Sequence, residues 1–325
     1  MSQPPVPHAT AQQLADSLRS EIKGKIILVT GVSPNSLGAS FAEATASAQP
    51  SQLILAGRNP SKTQQTASAI ADSHPDVPLR ILKLDLASLS AVREAARELL
   101  SWDLPRIDVL VNNAGIMAVD YALTVDGFES QLATNHLGHF LFTNLIMEKV
   151  LASEAPRVVN VSSSGHRLGH IRFADYNFDD GATYERWTAY GQSKTANMLM
   201  ALSLAQKLGD KRGLLAFSLH PGTIWTNLGN HLDWEAGELE AADKKLGYKD
   251  GWTGFDRIKS LEEGAATTVY AAFDPALRDH NGAYLLDCRL ADPWKDTVRP
   301  WATSPVEAEK LWKLSEELVG QKFEY

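Results

Sequence analysis

The chain has 325 residues, 44% of them hydrophobic and 22% charged, with a formal net charge of −8. That length can bury a large core in one α/β domain or two smaller ones, while the acidic balance and the lack of any basic run argue against a nucleic-acid partner. The single cysteine, Cys288, leaves no internal disulfide and no cysteine-based metal site, which points to a reducing, cytoplasmic compartment.

From the N-terminus, Met1 to Lys25 mixes Pro4, Pro5 and Pro7 with polar and charged residues, and 1–23 reads as an extension. It lacks the continuous apolar run of a signal peptide or membrane anchor, and no later span reaches the roughly 18 apolar residues of a transmembrane helix. Short apolar runs then alternate with longer helix-like stretches, the signature of a parallel sheet covered on both faces. The strand candidates are Ile26–Val29, Gln52–Ala56, Leu79–Leu84, Ile107–Val111, Arg157–Val161, Leu214–Leu219 and Ala283–Leu286. Between them Ala39–Ala48, Ala91–Leu100, Glu129–Val150 and Ala189–Leu208 have helix chemistry. These elements predict a single α/β domain over 24–290 with a doubly wound, seven-stranded parallel sheet and helices on both faces, followed by a C-terminal extension over 291–325 carrying one helix.

Two segments break the alternation. Gly165 to Trp187 reads as a long loop, and 225–259 is an insertion holding Trp225, Trp234, Trp252 and Phe255 among many acids. Open α/β sheets bind ligands beyond the carboxyl ends of their strands, so both segments are either a substrate lid or surface decoration.

Chemistry concentrates at Tyr190 and Lys194, four residues apart and therefore on one helical face. A phenol is a poor acid or base at neutral pH unless a neighbouring cation stabilises its phenolate. The pair is either such a device or an ordinary helix neighbour pair. Further upstream, Ile26–Val29 runs into Thr30, Gly31 and then Val32 to Gly38 before a helix, a strand, turn and helix N-terminus suited to phosphate. Asp85 can bond an adenine amino group or sit as an acid before a helix. Asn112-Asn113-Ala114-Gly115 lets the backbone approach a planar ring or forms a plain turn.

Taken together, Thr30-Gly31 to Gly38, Asn112-Asn113-Ala114-Gly115, Ser163, Tyr190 to Lys194 and His220-Pro221-Gly222 resemble, in order and spacing, the short-chain dehydrogenase/reductase family. His220 to Thr223, Asn281 to Tyr284 with Asp287-Cys288, and the long gap from Ser163 to Tyr190 resemble its retinol dehydrogenase-like branch. The resemblance implies a Rossmann-like nucleotide-binding domain and an oxidoreductase acting on small molecules. It implies Tyr190 as the proton donor or acceptor and Lys194 as the group that lowers its pKa and binds the nicotinamide ribose. Ser163, flanked by Ser162 and Ser164, would orient the substrate oxygen, and Asn135 would hold a water linking the lysine to solvent. The cofactor contacts it implies are Gly31, Ser33, Asn35, Ser36, Leu37, Gly38, Arg58, Asp85, Leu86, Asn113, Ala114, Gly115, Tyr190, Lys194, Pro221, Gly222, Ile224 and Thr226.

At the end of the second strand no carboxylate is present, and Arg58 is either a solvated arginine or a planar cation for a 2′-phosphate, which favours NADP(H). The glycine turn departs from the family pattern, being one residue longer with Ser36 where the middle glycine usually stands. The expected activity is NADP(H)-dependent hydride transfer to or from a carbonyl or alcohol of a fairly large apolar molecule. A non-redox epimerase or dehydratase on the same fold, or a cofactor-binding regulatory protein, are the other readings. The chain is expected to be a monomer or homodimer.

Overall fold

The computed structural model describes residues 8–248 and 257–325. Trp252 and Phe255, placed above in the substrate insertion, lie outside the described residues. Strands β1 (Ile26–Thr30), β2 (Gln52–Gly57), β3 (Leu79–Lys83), β4 (Val109–Asn112), β5 (Arg157–Val161), β6 (Leu215–His220), β9 (Tyr284–Leu286) and β10 (Arg289–Leu290) form one eight-stranded sheet in the order β10-β9-β6-β5-β4-β1-β2-β3. All neighbours pair parallel except β10, which turns back antiparallel on β9 through Asp287 and Cys288, both at positive φ. A short parallel pair, β7 (Thr223–Ile224) with β8 (Ile258–Lys259), stands apart from the main sheet.

Parallel strands covered on both faces read as unbroken apolar runs. In β1, Ile26 and Leu28 face one core while Ile27 and Val29 face the other. The chain reverses direction across the sheet between β1 and β4, and the loops at the carboxyl ends of these strands and of β5 make the crevice where such folds bind ligands.

The helices are α1 (Ala11–Ser17), α2 (Arg19–Ile22), α3 (Leu37–Ala46), α4 (Pro60–Ser73), α5 (Leu89–Ser101), α6 (Ser130–Leu132), α7 (Gly138–Leu145), α8 (Met147–Leu151), α9 (Arg186–Arg212), α10 (Glu238–Lys245), α11 (Leu261–Phe273) and α12 (Pro305–Val319). Several differences from the sequence expectations have physical causes. From Thr10 onward the N-terminal segment folds into α1 and α2, with a Thr10–Gln13 capping box, and buries Ala11, Ala15 and Ile22 in the same core as Ile27. Glu129–Val150 is not one helix: α6 runs into a π-helical turn over Ala133–Leu137, then α7, and the helix breaks again at Ile146 before α8. Residues Ile107 and Asp108 precede β4 rather than belonging to it: Ile107 N turns away to the Lys149 carbonyl at 2.8 Å, and Ile26 N is taken by the Asp108 carboxylate at 2.8 Å.

Helix α9 is 27 residues long, capped by Glu185 at its start and ended by Gly213 in the left-handed region at φ 70°. On its outer face lies α12. Ser203 Oγ donates to the Ala308 carbonyl at 3.0 Å, Trp312 meets Phe140 edge-on at 4.9 Å, and His136 Nε2 and Ser315 Oγ are 2.7 Å apart. Among the described residues no helix is long and apolar enough to cross a membrane.

Candidate active site

The glycine turn after β1 is shaped by contact with the loop after β4. Gly31 has φ 76°, and a Cβ there would lie 2.6 Å from Ala114 Cα, so only glycine fits. A Cβ on Gly38 would lie 2.6 Å from Asn113 Nδ2, which itself donates to Thr30 O at 2.8 Å and Gly31 O at 3.1 Å. The extra residue of the turn is absorbed by Asn35, which takes the left-handed conformation at φ 59°. Ser36 is the N-cap of α3: its Oγ accepts from Ala39 N at 3.2 Å and donates to Gly31 O at 3.0 Å. The hydroxyl in the middle-glycine position is thus engaged in holding the turn.

One hydroxyl ties these loops to the helix behind them. Thr30 Oγ1 accepts from both Asn113 N and Ala114 N at 3.0 Å and lies 2.9 Å from His139 Nε2. With its lone pairs engaged, the threonine gives its proton to Nε2, which leaves the His139 hydrogen on Nδ1 facing the Asn135 carbonyl at 3.0 Å. Asn135 sits in the π-helical turn, and its Oδ1 accepts from Ile116 N at 2.8 Å while its Nδ2 donates to Ser193 Oγ at 2.8 Å. An extra residue in a helical turn aims that carboxamide across at the loop after β4.

The three consecutive serines after β5 have different surroundings. Ser162 Oγ donates to the Lys194 carbonyl at 2.8 Å, Ser163 Oγ accepts from Gly165 N at 2.9 Å on the side of Tyr190 and favours the charged form of its phenol, and Ser164 Oγ is buried without a partner among the described residues. Close approach is enforced by Gly165, where a Cβ would come 2.8 Å from Tyr190 Cε1. On α9, Lys194 Nζ donates to the Val161 carbonyl at 3.1 Å. A Cβ on Gly115 would lie 3.5 Å from Nζ and 3.0 Å from Asn135 Oδ1. Ser163, Tyr190, Lys194 and Asn135 therefore converge beside the loop Asn113 to Gly115.

The other expected contacts are dispersed around the same crevice. Arg58 is exposed beyond the last residue of β2, next to Asn59, the N-cap of α4. The Asp85 carboxylate accepts from Ala87 N at 3.0 Å in a turn of its own. Leu86 is buried in the apolar core, where Gly138 packs against it. Gly222, at φ 104°, follows Pro221 after β6, and Ile224 packs against Gly264 together with Leu37 from the glycine turn. Thr226 caps the next turn through its Oγ1. Glycine turn, helix N-terminus and a glycine beside the ammonium make a cradle that fits a dinucleotide carrying a nicotinamide.

The family model for short chain dehydrogenases matches residues 25–177. A short-chain dehydrogenase/reductase of Penicillium roqueforti is 38% identical over 313 residues, covering 92% of this chain and 86% of its own. The chain is a short-chain dehydrogenase/reductase. It belongs to the retinol dehydrogenase-like branch: human retinol dehydrogenase 14 is 34% identical over 310 residues, 91% of this chain and 87% of its own. A solved structure of an uncharacterised protein from Mycobacterium paratuberculosis superposes with a TM-score of 0.68 at 32% identity, covering 94% of this chain and 97% of its own. As a member of this family the protein is an oxidoreductase that uses a nicotinamide cofactor and a small-molecule substrate.

Electrostatics in this dehydrogenase differ from the expectation for Lys194. Burial pushes the Tyr190 phenol up to about 12, the Ser163 hydrogen bond opposing it, and burial pulls Lys194 down to about 8. The ammonium is held by the Val161 carbonyl rather than by the phenolic oxygen, so in the protein alone desolvation outweighs any lowering by the cation. His139 is likewise kept neutral by burial, down to about 4.

Residues that the sequence did not single out also pack beside Tyr190 in this dehydrogenase. Trp187, one turn before Tyr190, meets its ring edge-on at 6.3 Å, and Leu239 and Ala242 of α10 close an apolar cluster with both. The helical spacing of Trp187 and Tyr190 was the available signal. Leu239 and Ala242 fall in the 225–259 insertion read as a candidate lid, but nothing marked them individually, since their contact depends on where the insertion folds back.

Proposed function

We propose that the protein is an NADP(H)-dependent oxidoreductase that moves hydride between the nicotinamide and a carbonyl or primary or secondary alcohol of a medium to large apolar molecule. In the reducing direction a bound NADPH would supply the hydride for the carbonyl carbon. Tyr190 gives its phenolic proton to the carbonyl oxygen, Ser163 holds that oxygen by hydrogen bonding, and Lys194 stabilises the phenolate left behind and binds the ribose. Asn135 fixes Ile116 and Ser193 around this group and holds water on the path to Lys194. The reverse direction returns the proton to Tyr190.

The observation that carries this reading is the convergence of Ser163, Tyr190 and Lys194 at a position where Gly115 leaves room for a ring. The apolar substrate is supported by the cluster of Trp187, Trp234, Leu239 and Ala242 beside Tyr190, and by the retinol dehydrogenase relatives. NADP(H) is supported by Arg58 with no carboxylate at the end of β2. A monomer is supported by α12, which covers the outer face of α9 and the π-helical turn, and sizing chromatography tests it. The lone, buried thiol of Cys288 supports a cytoplasmic location, which fractionation tests.

The deciding experiment mixes the purified protein with NADPH and a panel of apolar aldehydes, ketones and quinones. Consumption of NADPH coupled to alcohol formation is expected. Cofactor binding with no consumption across the panel would remove the redox reading.

A further inference from the structure

Arg167 lies in the 3-10 turn Ser164–Leu168 that directly follows Ser163. Its Nε donates to Asp243 Oδ1 at 3.0 Å and its second guanidinium nitrogen to Oδ2 at 2.6 Å, across 76 residues of chain. The pair is withdrawn from solvent, with side-chain exposures of 7% and 0%. Asp243 belongs to α10, whose buried residues are Leu239, Ala242 and Asp243. Leu239 and Ala242 share one apolar cluster with Tyr190 and Trp187, so α10 closes the side of the site on which the Tyr190 ring lies. Just past α10, Tyr248 Oη donates to the Arg167 carbonyl at 3.0 Å, and Arg299 lies over the Tyr248 ring at 4.4 Å.

A buried ion pair is a poor way to stabilise a helix, because desolvating both charges offsets most of their attraction and an apolar pair of similar volume does as well or better. Two parallel hydrogen bonds from a planar guanidinium, in contrast, fix distance, angle and register together. Among the described residues, the other contacts of α10 are the apolar packing of Leu239 and Ala242 and the longer, more exposed Arg186–Glu238 pair at 3.5 Å, none of which fixes its register as the Arg167 fork does.

We propose that Arg167 and Asp243 are a positioning pair that sets α10 at a fixed position beside Tyr190 and thereby determines specificity for substrates with an extended apolar group. This rests on the oxidoreductase reading above. Neither side chain touches the reacting atoms. Arg167 ties α10 to the same turn that follows Ser163, so the surface that grips the apolar part of a substrate and the hydroxyl that holds its oxygen are placed in one frame.

The test compares wild type with Arg167→Met/Asp243→Leu, which removes both charges and leaves neither one buried alone. A long-chain aliphatic aldehyde and a short one are the paired substrates, with NADPH as reductant. The ratio of kcat/KM for the long over the short aldehyde is expected to fall at least about tenfold, through KM for the long one, with NADPH affinity unchanged. Hydrogen exchange is read in parallel on the amides of Glu238–Lys245, where faster exchange is expected in the variant while Leu261–Phe273 is unaffected. An unchanged ratio, an equal loss with both aldehydes, or unchanged exchange over α10 would overturn the proposal. Inactivity of the wild type toward both aldehydes and the wider panel would instead count against the oxidoreductase reading, and the exchange measurement still decides the role of the pair. The single variant Arg167→Lys keeps the charge, loses the fork, and is expected to fall between the two.

Discussion

Lys194 Nζ stands 5.6 Å from the centre of the Tyr190 ring and donates its hydrogen bond to the Val161 carbonyl, not to the phenol. Both groups are buried, and burial acts against the charged form of each, moving the phenol up to about 12 and the ammonium down to about 8. Reduction needs the protonated phenol and a charged lysine beside it, so the lysine is the group that limits activity at high pH. We expect kcat/KM for reduction to be level near neutrality and to fall as pH rises past about 8. Lys194→Arg, which stays charged, should retain weak activity and lose that falling limb. A limb unchanged in position in the arginine variant would assign it to another group.

The same shift has a consequence for stability. The folded protein binds the Lys194 proton less tightly than the unfolded chain, whose lysine titrates at the ordinary 10.5. The penalty on folding is therefore complete below about 8 and is relieved as pH rises from there through 10.5. Lys194→Met should be inactive yet more stable than wild type at neutral pH, by on the order of 2 kcal/mol, with the gap closing in alkaline buffer. Thermal unfolding across that range is the measurement, and a gap that widens with pH would contradict the sign.

The three serines after β5 make a matched series. Ser163→Ala removes the hydroxyl that favours the charged form of Tyr190 and is expected to lower kcat by roughly 10²–10³ with little change in NADPH affinity. Ser162→Ala leaves the phenol alone but frees the Lys194 carbonyl, so its effect should fall mainly on stability, by about 1 kcal/mol. Ser164→Ala removes a buried hydroxyl with no partner among the described residues and should cost no stability. Equal kinetic damage from Ser162→Ala and Ser163→Ala would leave no ground for a substrate-orienting role at 163.

His139 joins Thr30 to the Asn135 carbonyl and must be neutral to do so with the tautomer deduced above. Its pKa is lowered to about 4 by burial, so it contributes to a loss of stability as pH falls from the ordinary 6.5 toward 4, where the unfolded chain is protonated and the native histidine is not. Replacing it by Phe should cost about 1–3 kcal/mol, because the Thr30 proton and the Asn135 carbonyl lose their partner. It should also raise KM for NADPH, since Thr30 sets the loop that carries Asn113 and Ala114. Chemical denaturation at neutral pH and cofactor titration check both, and an unaltered KM would confine His139 to a packing role.

Arg58→Ala is expected to raise KM for NADPH at least about tenfold while changing KM for NADH little, as loss of a phosphate-pairing guanidinium requires. Steady-state kinetics with the two cofactors decide it. Equal effects on both would remove the 2′-phosphate assignment.

Much of the site was legible in the sequence because it is written in local terms. Four-residue spacing brings Tyr190 and Lys194 to one face of α9, strand and turn chemistry put Gly31, Asn113 and Ser163 at carboxyl ends of strands, and unbroken apolar runs predict a sheet covered on both sides. Spacing along one element survives folding unchanged, which is why these readings need no knowledge of neighbours. Tertiary structure decided whatever depends on distance through space. Asn135 lies in a π-helical turn rather than a plain helix, Ser36 caps α3, and Ser163 rather than Ser162 or Ser164 meets the phenol. The direction of the Tyr190 and Lys194 pKa shifts follows from burial by segments far away in the chain. The Arg167–Asp243 pair, 76 residues apart, left no pattern in the sequence at all. Desolvation and long-range pairing are properties of the folded volume, and a one-dimensional pattern carries neither.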